Sequence, residues 1–345
     1  MSTVETLKKY CKRYFIDAMG AMALGLFASL LIGTILKTLG QYTGLDFLVD
    51  INTYAAGASG MAIGVAVAYA LKADPLVLYS CAAVGYIGYA FPTFFAGIDK
   101  SLTAGPAGTF IAVIVACEVA KFVSKKTKVD ILVTPTVTIL VGYGISRLVC
   151  PAVSFVMYWL GEFINEATTM HPFIMGIIIS VVVGMILTLP ISSAAICAMI
   201  GISGLAGGAA TVGCCAQMVG FAVISFRENR WGGLVSQGLG TSMLQMGNIC
   251  RKPQIWIPPT LAAAICGPLS TMVFKLECVG VSAGMGTCGL VGPIGILSAT
   301  EHTTTMWLGI LLLCFVAPAA LSLLFSEIMR KLGWIKPGDM ALTLN

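Results

Sequence analysis

The stretch Gly240-Thr-Ser-Met-Leu-Gln245-Met-Gly-Asn248-Ile-Cys-Arg251-Lys252-Pro253-Gln-Ile-Trp-Ile-Pro258 decides how this chain is read. It is too polar and too rich in Gly and Pro for a lipid-facing helix, yet strongly apolar segments flank it on both sides. Irregular backbone at membrane depth survives only where protein or a water-filled cavity satisfies its amides. The stretch is therefore the first place to look for function. Gln245 and Asn248 stand out because a side-chain amide both donates and accepts, which suits a neutral, polyhydroxylated or amide-bearing ligand. The same two amides would equally serve to satisfy re-entrant backbone. Thr241 and Ser242 add hydroxyl groups beside them.

Composition agrees with a membrane setting. Of 345 residues, 58% are hydrophobic and only 10% charged, where a soluble domain carries roughly 25% charged residues. The mean hydropathy is +0.94. The expected class is an all-α, polytopic membrane protein. The net charge of +5 does not point to nucleic acid, because the cations cluster beside hydrophobic spans as positive-inside topology requires. Met1–Asp17 is polar and amphipathic, and no cleavable signal peptide is visible in it.

Enzyme chemistry finds little support. The 12 cysteines are scattered through apolar stretches without a CxxC or a Cys/His spacing, so neither a metal nor another cofactor is expected. The pair Cys214-Cys215 reads as small core packing. A phosphate loop is missing: Gly284-Met-Gly286-Thr-Cys-Gly289 lacks the lysine and the strand–helix setting. The only histidines, His171 and His302, fall at the ends of spans. The chain is expected not to be an enzyme.

A helix needs about 20 apolar residues to cross a bilayer. Candidate spans are 18–36, 54–71, 76–92, 106–122, 131–158, 172–189, 205–226, 256–274 and 305–328, with 190–203 as an uncertain tenth. Basic residues fix the expected orientation. Lys8–Arg13, Lys121–Lys128, Arg227, Arg230 and Arg330–Lys336 fall inside, and both termini are expected in the cytoplasm. Outer loops are expected near Asp99 and Lys100 and from Glu162 to His171. The stretches 190–226 and 231–252 must then each enter and leave on one face, and 276–303 begins and ends outside. The expectation is about ten transmembrane helices plus re-entrant hairpins in the plasma membrane.

Two of these pieces are rich in small residues. One opens with Pro190-Ile-Ser192-Ser193 and continues through Gly201, Gly204, Gly207 and Gly208; the other runs from Gly280 through Ser282, Gly284, Gly286, Thr287, Gly289 and Gly292 to Pro293. Small residues at about four-residue spacing permit close helix packing. They also suit a broken helix whose free amides line a substrate cavity, as in many secondary transporters. On the second reading Ser192, Ser193, Gly286 and Thr287 join the candidate substrate site. Glu301 and His302, just past the second segment, are candidates for gating or coupling.

From Gly105-Pro-Ala-Gly-Thr-Phe110 onward the order of elements resembles the membrane component, enzyme IIC, of the bacterial sugar phosphotransferase system. A lysine-rich turn, Lys121–Lys128, precedes the proline-bearing stretch Val129–Gly142, as in fructose-type members. Tyr158-Trp-Leu-Gly-Glu162-Phe-Ile-Asn165 resembles their amphipathic outer loop, and Lys252-Pro253-Gln-Ile-Trp-Ile-Pro258 the close of their substrate segment. In length and in Gly284–Pro293 the chain resembles the short enzyme IIC-like family named after the perfringolysin O regulator. The resemblance implies a homodimeric scaffold half, residues 1–160, and a mobile transport half, 161–335, followed by a cytoplasmic tail, 336–345. It implies a small-molecule, sugar-like substrate carried by an elevator-type movement, with a soluble phosphocarrier or regulatory protein as a possible partner. One departure matters. Fructose-type members carry a glutamate in Thr-Glu-Gly-Ala-Ile-Pro, whereas Thr241–Gly247 holds no carboxylate. Transport without phosphorylation by this chain is therefore the leading expectation. The alternatives are a phosphotransferase permease served by separate phosphocarriers and a membrane sensor that regulates genes through a partner.

Overall fold

The computed structural model describes residues 12–94 and 102–342. Lys8 and Lys9, the loop residues Asp99 and Lys100, and the end of the tail, 343–345, lie outside the described residues. Among the described residues, regular structure is helical apart from one antiparallel pair of two-residue strands, β1 (Pro92–Thr93) and β2 (Leu102–Thr103). The chain divides into two compact units, Met1–Met157 and Tyr158–Asn345.

The first unit holds α1 (Lys12–Gln41), the bent pair α2 (Asp46–Gly57) and α3 (Ser59–Ala70), α4 (Pro75–Ala90), α5 (Gly105–Val123) and most of α6 (Asp130–Thr168). α3 and α4 cross at glycines, because a Cβ on Gly64 would stand 2.2 Å from the Cys81 carbonyl oxygen and one on Gly85 2.2 Å from that of Gly60. This is the close approach that small residues allow in lipid. α4 starts with Pro75, whose missing N–H would have no helical partner there. Asp74 just before it accepts from Ser124 and pairs with Lys125, tying this turn to the end of α5. The hydrogen bond from Lys125 holds the Asp74 carboxyl below its usual range. Glu118 takes both Arg13 at 2.6 Å and Lys121 at 3.3 Å.

The second unit contains α7 (Pro172–Thr188), α8 (Ser193–Met199), α9 (Gly204–Ile224), α10 (Phe226–Val235), α11 (Met246–Arg251), α12 (Pro253–Phe274), α13 (Val291–Ala299) and α14 (Thr304–Lys331). α9 is its axis. Its most apolar window is 89% buried, against 22% for α6, and it packs on α7, α12 and α14. Lys275, in the left-handed region at φ 47°, ends α12, and the chain then runs extended along α9. Cys278 donates to the Gly204 carbonyl at 3.2 Å and Gly280 to that of Ile202 at 2.8 Å. Ser193 donates to the Gly284 carbonyl at 2.7 Å. The two small-residue segments thus meet face to face.

Among the described residues, six helices are long and apolar enough to cross a membrane, or seven if the pair α2–α3, bent by 50°, is one span. The runs expected to span near 76–92 and 172–189 form helices of 16 and 17 residues, short of the usual crossing length of about 20 residues. The expected loop at Glu162–His171 is corrected: α6 continues to Thr168. Gly161, Ile164 and Ala167 are buried at three-residue spacing, so the stretch keeps a helical stripe that its polar residues conceal. His171 instead caps α7, accepting from the Phe173 N–H at 3.4 Å.

The contact of α9 with extended backbone is the tightest feature of this unit. A Cβ on Gly208 would lie 1.8 Å from the Leu276 carbonyl oxygen and one on Gly207 1.9 Å from that of Cys278. Gly208→Ala is expected to destabilise the protein by about 1–3 kcal/mol through overpacking. Gly144→Ala, inside α6 where no atom would approach within 4 Å, serves as the control and should hold or raise stability; thermal unfolding in detergent compares the two.

Candidate functional site

Two groups of buried and half-buried polar side chains draw on the segment Gly240–Pro258. The first centres on Gln217, which is fully buried on α9. Its Oε1 accepts from Trp256 Nε1 at 3.1 Å and from Thr188 Oγ1 at 3.5 Å, and its Nε2 donates to Thr260 Oγ1 at 3.1 Å. Thr260 follows Trp256 by four residues on α12, so the two share one face of the helix. Its hydroxyl also returns a hydrogen bond to the Trp256 carbonyl at 2.7 Å. Thr188, the last residue of α7, lies 2.8 Å from Ser242 through their hydroxyls. A cleft of about 240 Å³ opens alongside, lined by Met185, Pro253, Trp256, Ile257, Thr260 and Leu261.

The second group is a row of amides. Asn248 Nδ2 donates to Gln245 Oε1 at 2.8 Å, Gln245 Nε2 to Gln237 Oε1 at 3.0 Å, and Gln237 Nε2 to Ser225 Oγ at 2.9 Å. The row runs on into the segment after α14. Gln245 Nε2 also donates to the Met340 carbonyl at 3.0 Å, and Asn248 Nδ2 to that of Ala341 at 2.9 Å. Asn229 pairs with the same segment in both senses, giving a hydrogen bond to the Met340 carbonyl at 2.8 Å and taking one from the Leu342 N–H at 2.7 Å.

Asn229 sits in a clamp of three consecutive residues. Before it, Glu228 receives Arg330 at 2.9 Å, with side chains only 7% and 10% exposed. Arg330 also donates to the Ile224 carbonyl at 3.2 Å. The second Glu228 oxygen is buried and has no hydrogen-bond partner among the described residues. After it, Arg230 adopts φ 52°, ψ −150°, a backbone conformation normally left to glycine. Such strain costs of order 1–3 kcal/mol and persists only where the surroundings enforce it.

The residues singled out from sequence divide by role. Gln245, Asn248 and Ser242 lie in the two polar groups. Thr287 donates to the Gly238 carbonyl, which joins the second small-residue segment to the stretch 236–240. Gly286, at φ 55°, accepts from Gly292 N–H at 2.8 Å and shapes the break before α13. Ser193 joins the two hairpins. Ser192 and Thr241 cap short helices, accepting from Ala195 N–H at 3.2 Å and Met243 N–H at 3.1 Å. Glu301 and His302 are exposed between α13 and α14. Sequence reading passed over Gln217, Gln237, Asn229, Trp256 and Thr260. Gln217 carried a usable signal, as the one amide in the small, apolar helix Gly204–Ile224.

The hydrogen-bonded groups of both sets are uncharged, so they can recognise hydroxyl, carbonyl and amide groups but cannot hold a metal ion or an anion by charge. Residues 16–342 match the family described as Phosphotransferase system, EIIC, and the chain therefore belongs to it. No curated protein and no solved structure matches the chain. Membership makes it a multi-pass membrane protein of the sugar-permease type. It implies a sugar substrate and partnership with other phosphotransferase components.

The buried pair Glu228–Arg330 sets a test of this architecture. Arg330→Met leaves a buried carboxylate without its cation, a change that costs about 3–5 kcal/mol. Removing both charges with Glu228→Gln and Arg330→Met together is expected to recover most of the loss. Thermal unfolding of the two single variants and the double variant measures the recovery.

Proposed function

We propose that this enzyme IIC family member is a permease for a small, neutral, polyhydroxylated solute of the sugar class, which it moves without carrying a phosphoryl group itself. The observation that supports this reading most is the uncharged polar set of the second unit. Thr188, Gln217, Ser242, Gln245, Asn248 and Trp256 offer amide, hydroxyl and indole groups, and among the described residues none of their side-chain partners is a carboxylate, an imidazole or a thiol. Such groups match sugar hydroxyls as both donors and acceptors. Phosphoryl transfer to a hydroxyl also needs a base to take its proton. An amide at position 245 cannot act as that base.

An apolar cleft with a few fixed polar groups is the usual form of a small-molecule site, and the cleft beside Trp256 has that form. In this reading, the family resemblance makes the first unit a homodimeric scaffold and the second the moving part of an elevator. About ten crossings with both termini in the cytoplasm complete the arrangement. The shorter apolar helices α4 and α7 supply crossings beyond the full-length ones if the bilayer thins around them, a modest cost per ångström.

Family membership favours a second reading, in which separate phosphocarriers phosphorylate the sugar as it passes. The resemblance to the perfringolysin O regulator group leaves a third role, sensing a solute on behalf of a regulatory partner.

A thermal-stability panel of sugars, polyols, nucleosides and carboxylates tests the binding step. A ligand at about 100 times its dissociation constant stabilises the folded protein by about 2.7 kcal/mol. Gln217→Ala, Gln245→Ala and Asn248→Ala are each expected to lower uptake of the selected ligand about tenfold or more, since a lost hydrogen bond in a buried site costs about 1.5 kcal/mol. Normal uptake in all three would remove this site assignment. Recovery of the solute in phosphorylated form would replace the leading reading with the second.

A further inference from the structure

We propose that residues 336–342 form a latch over the amide row, and that the latch must leave before the row can bind solute. The proposal rests on the transport reading of Gln245 and Asn248 and adds a regulatory device to it.

A primary amide has two N–H groups and no more. Gln245 spends both, on Gln237 Oε1 and the Met340 carbonyl at 3.0 Å each. Asn248 spends both, on Gln245 Oε1 at 2.8 Å and the Ala341 carbonyl at 2.9 Å. With the segment in place neither side chain has a donor left for a ligand. Two peptide carbonyls therefore stand where sugar hydroxyls would accept. All four hydrogen bonds of the dock involve the latch backbone, with Asn229 completing the set through Met340 and Leu342.

The segment is built to detach locally. Its root is firm: Arg330 is fixed by Glu228, and Ile335 is 1% exposed. Beyond the root comes a tight turn, Lys336-Pro337-Gly338-Asp339, largely exposed. It is closed by a hydrogen bond from the Lys336 N–H to Asp339 at 2.8 Å and has Gly338 at φ 91°. Among the described residues past the turn, Met340 is fully buried, Ala341 exposed and Leu342 half-buried. Among the described residues, undocking therefore uncovers Met340 and the covered part of Leu342, breaks four hydrogen bonds, and leaves the root and α14 untouched. Segments with few buried apolar contacts are the ones that open locally.

Two variants at the dock move the latch in opposite directions without altering Gln245 or Asn248. Asn229→Asp keeps the acceptor for the Leu342 N–H but sets a carboxylate against the Met340 carbonyl, which favours release. Asn229→Cys with Leu342→Cys, on a Cys250→Ser background because Cys250 is the exposed native thiol among the described residues, allows an oxidative cross-link that holds the latch closed.

Hydrogen exchange of residues 338–342 reads the latch without reference to transport. It is expected to speed up at least tenfold in Asn229→Asp while residues 320–331 stay protected; unchanged exchange overturns the latch. Uptake of radiolabelled glucose, mannitol and N-acetylglucosamine into proteoliposomes reads its consequence. Cross-linking is expected to cut uptake at least tenfold, with recovery on reduction, and Asn229→Asp to raise the initial rate or lower KM about threefold. Failure of the cysteine pair to cross-link, or full uptake by the cross-linked protein, overturns the proposal. If none of the three probes enters in any form, the transport reading for these solutes fails, and the exchange result alone decides whether the latch exists.

Discussion

Backbone hydrogen bonding in a chain with almost no water-facing polar surface governs the second unit. Helices satisfy their own amides, but this unit breaks its helices at 200–203, 236–245 and 275–290. Each break frees carbonyls and N–H groups that lipid cannot satisfy. Several of the observed partners come from other breaks or from the helix starts beside them. Ile202 and Gly204 carbonyls accept from Gly280 and Cys278, the Gly284 carbonyl accepts from Ser193, and the Gly238 carbonyl accepts from Thr287. The breaks stabilise one another, and their small residues follow from that need. Extended backbone can lie against α9 only because Gly207 and Gly208 have no Cβ to block it. The choice between close packing and a substrate cavity, open in the sequence, is thus not exclusive: the glycines pack, and the packing positions the polar side chains.

Charge follows a separate logic from hydrogen bonding. The amide row and the Gln217 group are neutral, while the nearby buried ion pair, Glu228–Arg330, holds the end of α14 to the start of α10. A buried ion pair adds little net stability, yet losing one member is expensive. It therefore fixes a position more than it strengthens the fold. Here it fixes the root of the segment that reaches Asn229, Gln245 and Asn248. Arg230 bears its backbone strain in the same three-residue clamp.

What the sequence disclosed and what it concealed follow from the range of the interactions. Long apolar runs are local signals, so α1, α5, α9, α12 and α14 were legible, as were the breaks at Pro190–Ser193 and Gly280–Pro293. The extension of α6 through Glu162 was hidden because its polar residues mask a buried stripe at Gly161, Ile164 and Ala167. The helix Asp46–Gly57 was obscured by Asp46, Asp50 and Asn52, which make the run too polar to count as a span by itself. Gln245 and Asn248 announced themselves as polar groups between apolar flanks. Their partners at Met340 and Ala341 lie 95 and 93 residues away and contribute only backbone carbonyls. No side-chain pattern can reveal an acceptor that every residue possesses.

Those same contacts also set the residue type at position 245. Gln245 Nε2 faces two acceptors, the Gln237 side-chain oxygen and the Met340 carbonyl. An ionised carboxylate there would oppose acceptors with an acceptor, inside a site where uncompensated charge is costly. An amide satisfies both oxygens and still accepts from Asn248 through its own carbonyl. The residue type at 245 is therefore set by what surrounds it: a chain that threads its own backbone into the amide row needs donors at that position, and glutamine supplies two where ionised glutamate supplies none.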